Sequence, residues 1–245
     1  MFKSQRATGL VIASIDRGEA DRFLTVYSRE FGKIKIIAKS VRKITSKLYG
    51  GTGLFNLVEI EFVEGKVFRT MTDYRKLKSF DRIKSNPLRT RIGYDICEII
   101  DLLIEKEQKD NRIWPLTKQS FQLLDETKAD NNTWLICYQY FFWNLMSLLG
   151  YRPDTDRCYL CKKKLTPRDM AFNPVNGGVK CFTCLSQGYF EHEIKVSTSA
   201  VKILRLIIKG RRDTLQKIKP NSRVEEELKG LLDSFLKYHF SVSIK

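Results

Sequence analysis

Five runs of β-periodic residues, a change to helical periodicity near residue 86 and two Cys-x-x-Cys pairs predict an α+β multidomain chain. Its expected parts are an N-terminal five-stranded β-barrel and an α-helical domain with an inserted four-cysteine zinc finger. The barrel is expected over 1–80, the first helical part over 81–152, the finger over 153–192 and the closing helices over 193–245. At 245 residues, 42% of them hydrophobic, the chain is too long for a disulfide-stapled miniprotein and long enough for two or three cores.

The strands come first. GLVIASI, DRFLTVYS, KIKIIAK, LFNLVEIEFV and KVFRTMTDY are β-branched or aromatic runs separated by Gly, Asp and charged turns between Thr8 and about Leu77. Alternation is clean in two of them: Ile34 and Ile36 oppose Lys33 and Lys35, and Val58, Ile60 and Phe62 oppose Glu59 and Glu61. Five antiparallel strands in so short a span favour closure into a small barrel, of which the OB-fold is one form.

Pro87 then suits a helix start, and Ile92, Ile96, Ile99 or Ile100 and Leu103 recur at helical spacing. After the polar break EKEQKDNRIWP a second helix is expected over Leu116–Asp125, and a third from Trp134 to a stop at Gly150. The apolar run of that third helix is shorter than the ~20 residues that span a bilayer, and it contains Gln139 and Asn144. It reads as a core helix. The charged N-terminal segment has no signal-peptide form, so a cytosolic location is expected. Two helices close the chain: Ser199–Lys209, burying Val201, Leu204 and Ile208, and one opened by Ser222 and Glu225 as a capping box with Val224, Leu228, Leu231, Phe235 and Tyr238 on one side.

Cys158 with Cys161 and Cys181 with Cys184 form two matched knuckles, which together can complete a metal tetrahedron. Zinc fits best. A reducing compartment disfavours disulfides, and a thioredoxin-like site needs one such pair in a βαβ setting, against the two pairs joined here by the turn-rich NPVNGG. Neither His192 nor His239 supplies the His-x-Glu of a zinc deaminase. Arg157, Lys162, Lys163, Lys164 and Lys180 are expected to neutralise the thiolates, and Cys97 and Cys137 to be core residues.

The net charge of +16, from 44 basic and 28 acidic residues, points to a polyanionic partner, with a merely solvated basic surface as the alternative. The densest segment, KIKIIAKSVRKITSK, runs from a strand into a loop, where OB-folds bind single strands. Phe31, Tyr49, Phe55 and Phe68 lie near it as candidate stacking residues, or as core. A second basic run covers Arg69–Arg91. A third, Lys195–Arg223, includes a helical face of Lys202, Arg205 and Lys209 together with Arg211, Arg212 and Lys217. No phosphate-loop sequence occurs, and Asp154 with Asp156, expected in a loop, form no two-metal constellation.

Three stretches, FFWNLMSLLGYRPDTDRCYLC with FNPVNGGVKCFTC, the tail FLKYHFSVSIK and the opening TGLVIASIDRGEADRFLTVYSREFGKIKIIAKSVRK, resemble the bacterial recombination mediator family RecO. The resemblance covers nearly the whole chain. It implies an N-terminal OB-fold, a helical domain and a zinc finger packed on it, and a DNA repair protein that binds single- and double-stranded DNA and anneals complementary strands. It also implies partners: the C-terminal tail of single-strand-binding protein, RecR and, indirectly, RecA, with no membrane and no catalytic step. By matching motif, Lys35, Lys39, Arg42, Lys43 and Lys47 become DNA contacts, joined by the helical face Lys202, Arg205 and Lys209. Cys158, Cys161, Cys181 and Cys184 become ligands of structural Zn2+. The rivals are a zinc-ribbon RNA-binding protein with an OB-fold and a metal-dependent nuclease. The buried helices with Trp114, Tyr140 and Trp143 offer either an apolar slot for an acidic tail or plain core packing.

Overall fold

The β-branched and aromatic runs build the first five elements: β1 (Ser4–Arg17), β2 (Asp21–Ser28), β3 (Gly32–Ala38), β4 (Asn56–Val63) and β5 (Arg69–Ser79). The computed structural model describes residues 4–127, 131–188, 191–209, 212–215 and 217–241. The strands close into a barrel in the order β1-β2-β3-β5-β4. Its pairs are antiparallel except at the seam between β3 and β5, which run parallel. Inside lie Val11, Leu24, Val26, Ile34, Ile36, Val58, Ile60 and Phe62, all essentially buried, as a period of two requires.

Lys33 departs from the expected outward-facing pattern. It is 6% exposed, because Asp101 covers it: the ammonium bonds the Asp101 backbone carbonyl and lies 3.0 Å from its carboxylate. Asp101 lies in the last turn of α2 (Pro87–Leu103), and the segment after that helix runs beside β3, with the Glu107 N–H donating to the Lys33 carbonyl at 3.0 Å. At Gly32, φ is +66° and a Cβ would stand 2.2 Å from the Gln108 carbonyl oxygen, so only glycine admits this approach.

A single turn, α1 (Asp81–Lys84), leads into α2, whose N-cap Asn86 accepts the Arg89 N–H. The next helix, α3 (Ile113–Glu126), starts inside the stretch expected to be a break. Asp110 explains this, since its carboxylate accepts the N–H groups of Arg112 and Ile113 and caps the first turn. Phe55, 1% exposed, joins barrel to helices: its backbone N–H donates to Val11, and its ring meets Tyr94 and Phe121 at 5.4 and 5.5 Å. The chain divides into two compact units, Met1–Glu126 and Thr127–Lys245, so α2 and α3 group with the barrel.

The second unit holds α4 (Asn131–Leu148), a four-stranded sheet of β6 (Asp154–Cys158), β7 (Met170–Asn173), β8 (Gly178–Lys180) and β9 (Ile194–Val196), and four further helices. These are α5 (Phe182–Leu185), α6 (Thr198–Ile208), α7 (Arg212–Leu215) and α8 (Ser222–Phe240). The sheet order is β6-β8-β7-β9. Phe172 of β7 meets Trp143 of α4 and Phe235 of α8 at 6.1 and 6.5 Å, and Trp143 meets Phe235 at 5.2 Å, so sheet and helices share one aromatic core. Its polar atoms are satisfied: the Trp143 indole donates to Gln139, and the Gln139 amide donates to the Leu228 carbonyl.

Details of the expected helices shift. α8 is capped by Asn221, which accepts the Val224 N–H at 3.0 Å, and not by Ser222. Tyr238 is 46% exposed, while Val224, Leu228, Leu231 and Phe235 are buried. Asp154 and Asp156 belong to strand β6 and not to a loop. Arg211, the Arg212 side chain and the last residues of the closing tail, 242–245, lie outside the described residues.

Truncation of Phe55 to alanine removes a ring packed from both sides. It is expected to destabilise the first unit by about 3–5 kcal/mol, measured by urea unfolding.

Candidate metal centre and nucleic-acid interface

The thiol cluster is built by two turns brought together by the small sheet. After β6 the chain reverses with Lys162 in the left-handed region (φ +60°), the Lys162 N–H donating to the Cys158 carbonyl and the Cys158 N–H to Lys163. The second knuckle leaves β8, with Cys181 at the start of α5 and Cys184 within it. Sγ of Cys158 lies 3.9 Å from Sγ of Cys184, and Sγ of Cys161 lies 3.7 Å from Sγ of Cys181; all four sulfurs fall within 4.8 Å of one another. A disulfide needs ~2.05 Å, so these are free thiols. Tetrahedral ligands at ~2.3 Å from one ion stand ~3.8 Å apart, the spacing found here.

The thiols sit in a field suited to the thiolate form. Burial pushes Cys158 up, but backbone N–H groups of Cys161, Cys181 and Leu160 outweigh it and bring the thiol to about 7. The Cys181 N–H donates directly to the Cys158 sulfur at 3.4 Å. Cys184 is raised to about 12, first by burial and then by its three thiol neighbours. An ion is what lets such a group ionise beside the other three. Donor set, spacing and N–H donation fit a metal. Cys97 and Cys137 are buried in α2 and α4, away from this cluster.

Lys180 is fully buried and does not face solvent beside the thiols. Its ammonium donates to the Gly188 carbonyl at 2.8 Å and pairs with Glu193 at 3.1 Å, while the Tyr159 hydroxyl donates to Glu193 at 2.8 Å. Burial, reinforced by that Glu193 bond, raises the Tyr159 hydroxyl well above its ordinary range. This network ties the segment before β9 to both knuckles. Nothing in the sequence separation of Lys180 and Glu193 announces the pair; the signal is a lysine at an inward position of a strand.

β3 at Lys35 and the basic loop after the strand present their cations outward. Lys35, Lys39, Lys43 and Lys47 are exposed and form no ion pair among the described residues. Arg42 is partly committed, 3.4 Å from Asp16 and bonded to the Gly18 carbonyl. The Arg22 hydrogen bond, opposed by desolvation and aided by the charges of Arg22 and Arg42, holds Asp16 below the usual carboxylate range. Val41, fully buried, anchors the loop, and Ile44 at its tip is fully exposed.

The helical face is largely engaged elsewhere. Arg205 lies 2.7 Å from Asp156 and bonds the Thr155 carbonyl, and Lys209 lies 3.9 Å from the same carboxylate, so α6 is clamped to β6. Lys202 is exposed. Asp154 spends its carboxylate on the N–H groups of Asp156 and Arg157. In the second basic run, Arg69 pairs with Glu64 and Glu107, Arg75 with Glu59, Lys78 with Glu126 and Arg91 with Asp95. Among the candidate stacking residues Phe55 is core and Phe31 packs on Phe62, whereas Tyr49 and Phe68 are 60% and 40% exposed. Trp114, Tyr140 and Trp143 are buried, Trp114 in one unit and the other two in the other, and form core instead of an open slot. No helix among the described residues is long and apolar enough to cross a membrane.

Residues 1–80 match the family model described as recombination protein O N terminal, and residues 85–245 the one described as recombination protein O C terminal. The chain belongs to the RecO family. A DNA repair protein RecO of Dehalococcoides mccartyi is 30% identical over 223 residues, 91% of this chain and 85% of that protein. Another, from Thermoanaerobacter sp., is 25% identical over 93% of this chain and 89% of its own. One from Desulfitobacterium hafniense is 30% identical over 91% and 80%. Membership in the RecO family ties the chain to DNA repair and recombination, and sets its exposed lysines in that context.

Two outcomes test the metal centre of this RecO chain. Chelation, or Cys184→Ser, is expected to expose the 154–196 segment to protease while the barrel's circular-dichroism signal persists. Lys180→Met is expected to cost the second unit about 3–5 kcal/mol in denaturant unfolding, because it strands Glu193 without its cation.

Proposed function

We propose that the protein is a recombination mediator: it binds single- and double-stranded DNA, anneals complementary strands coated with single-strand-binding protein and, together with RecR, helps RecA to load. The observation that carries this reading is β3 with the loop after it, where Lys35 on the strand and Lys39, Lys43 and Lys47 on the loop stand exposed with no ion pair among the described residues. In this reading the barrel is an OB-fold whose β3 and following loop track the phosphates. Two like-charged strands repel each other, and a basic surface that neutralises both lets base pairing decide the outcome.

The four cysteines hold structural Zn2+ in the same proposal. Four thiolates fill its coordination sphere, leaving no position for a water, so the metal supports the fold and the protein acts by binding and not as an enzyme. Lys202, exposed on α6 of the second unit, supplies a further DNA contact. Arg205 and Lys209 reach DNA only by exchanging Asp156 for phosphate, and Arg42 only by loosening its hold on Asp16. Contact with the acidic tail of single-strand-binding protein recruits the molecule to coated DNA, in the cytoplasm and at the nucleoid.

The test is annealing of complementary strands pre-coated with the cognate single-strand-binding protein, without nucleotide, over a salt series. Rapid annealing that falls steeply with salt is expected, and Lys43→Ala with Lys47→Ala is expected to lower the salt slope of DNA binding by about two. Unchanged slope in that double variant removes the loop from the interface. Preference for a matched RNA strand in competition would move the protein to RNA binding.

A further inference from the structure

The outside of the barrel carries an apolar patch that neither the metal centre nor the basic loop accounts for. Ile15 is 65% exposed, Val67 77% and Phe68 40%. Register sets Ile15 opposite Phe23 and Phe23 opposite Ile37, while Ile36 pairs with Arg69, the residue after Phe68. Ile15, Phe23 and Ile37 therefore share one outer face across β1, β2 and β3, with Ile37 buried and Phe23 partly covered, while Val67 and Phe68 stand in the turn between β4 and β5. Isolated exposed apolar residues are ordinary on a protein surface, but an exposed ring packed on a second ring beside a free cation marks a contact site.

Its chemistry is specific. Phe68 stands edge-on to Phe23, ring centroids 5.0 Å apart, and the Arg17 guanidinium lies 4.6 Å from the Phe23 centroid and 5.6 Å from that of Phe68. Arg17 is exposed and makes no ion pair among the described residues. The turn that presents Phe68 is tight: a Cβ at Gly65 would come 2.4 Å from the Phe68 carbonyl oxygen, so the bare glycine backbone is what lets the turn close. Lys35 shares the outer face of β3 with Ile37, and Lys39 follows the strand end. The patch also continues into the basic loop, because Arg42 bonds the carbonyls of Gly18 and Ala20 in the turn directly after Arg17. An apolar protein partner would suit Ile15 and Val67 alone. Exposed rings beside unneutralised cations suit an unpaired base, whose π-face stacks while its phosphate meets the charge.

We propose that Phe68, backed by Phe23 and flanked by Arg17, is a stacking shelf for an unpaired base of single-stranded nucleic acid whose phosphates continue to Lys39, Lys43 and Lys47. The proposal rests on the DNA-binding reading above and narrows it, at this face, to the single strand.

The full chain is titrated with two oligonucleotides of equal length, a base-bearing single strand and an abasic one. Phe68→Leu, which keeps apolar contact with Phe23, is expected to weaken binding of the base-bearing strand about tenfold and to leave the abasic strand unchanged. Phe68→Trp is expected to retain affinity and to lose fluorescence on adding the base-bearing strand alone. Lys43→Ala with Lys47→Ala is expected to weaken both. If Phe68→Leu binds both strands as the parent does, the shelf is overturned while the DNA reading stands, and the patch falls to a protein partner. If the parent binds neither strand, both readings fall.

Discussion

The four-stranded sheet that brings four sulfur atoms within 4.8 Å of one another is the constraint around which the second unit is arranged. The sheet that carries them has strands of three to five residues, too short to hold register alone. From that sheet Phe172 packs against α4 and α8, and Asp156 meets Arg205 of α6. His239, near the end of α8, bonds the Pro174 carbonyl in the hairpin between β7 and β8. Helices distant in sequence are thus assembled around a centre that supplies little apolar area of its own.

Much of this was legible in the residues themselves. β-branched and aromatic runs located all five barrel strands, and alternation in two of them showed that Ile34, Ile36, Val58, Ile60 and Phe62 face the core. The cysteine pairs met as their spacing implied. Failures cluster where a distant group supplies the deciding contact. Lys33 looks like a solvent residue until Asp101 arrives from α2, and the polar stretch before α3 looks like a loop until Asp110 caps it. Arg205 looks like part of a free cationic face until Asp156 of β6 reaches it. Periodicity reports which face a residue occupies and cannot report what later covers that face.

The same distinction sorts the charges. The +16 excess is a property of the whole sequence, yet the basic run from Arg69 to Arg91 is threaded with ion pairs to Glu64, Glu107, Glu59, Glu126 and Asp95. Such exposed pairs add little stability, but they remove those cations from the pool available to a polyanion. Beside the loop after β3 stand Asp16, which Arg22 and Arg42 share, and Asp21, which accepts the Ser40 N–H, and neither pairs with the loop's lysines. Local pairing, more than local density, separates a binding surface from a solvated one.

The seam of the barrel is its thinnest join, with just Ile36 beside Arg69 and Ile37 beside Thr70. Glu107 bridges it: the backbone N–H bonds Lys33 on β3, and the carboxylate meets Arg69 on β5 at 3.0 Å. The clip belongs to the connection between α2 and α3, so pulling those helices away would unzip the barrel at its weakest ladder. Strands and helices of the first unit therefore open to hydrogen exchange as one cooperative body, and slow amides on β3 and β5 report the seating of α2 and α3 as much as the strength of the sheet.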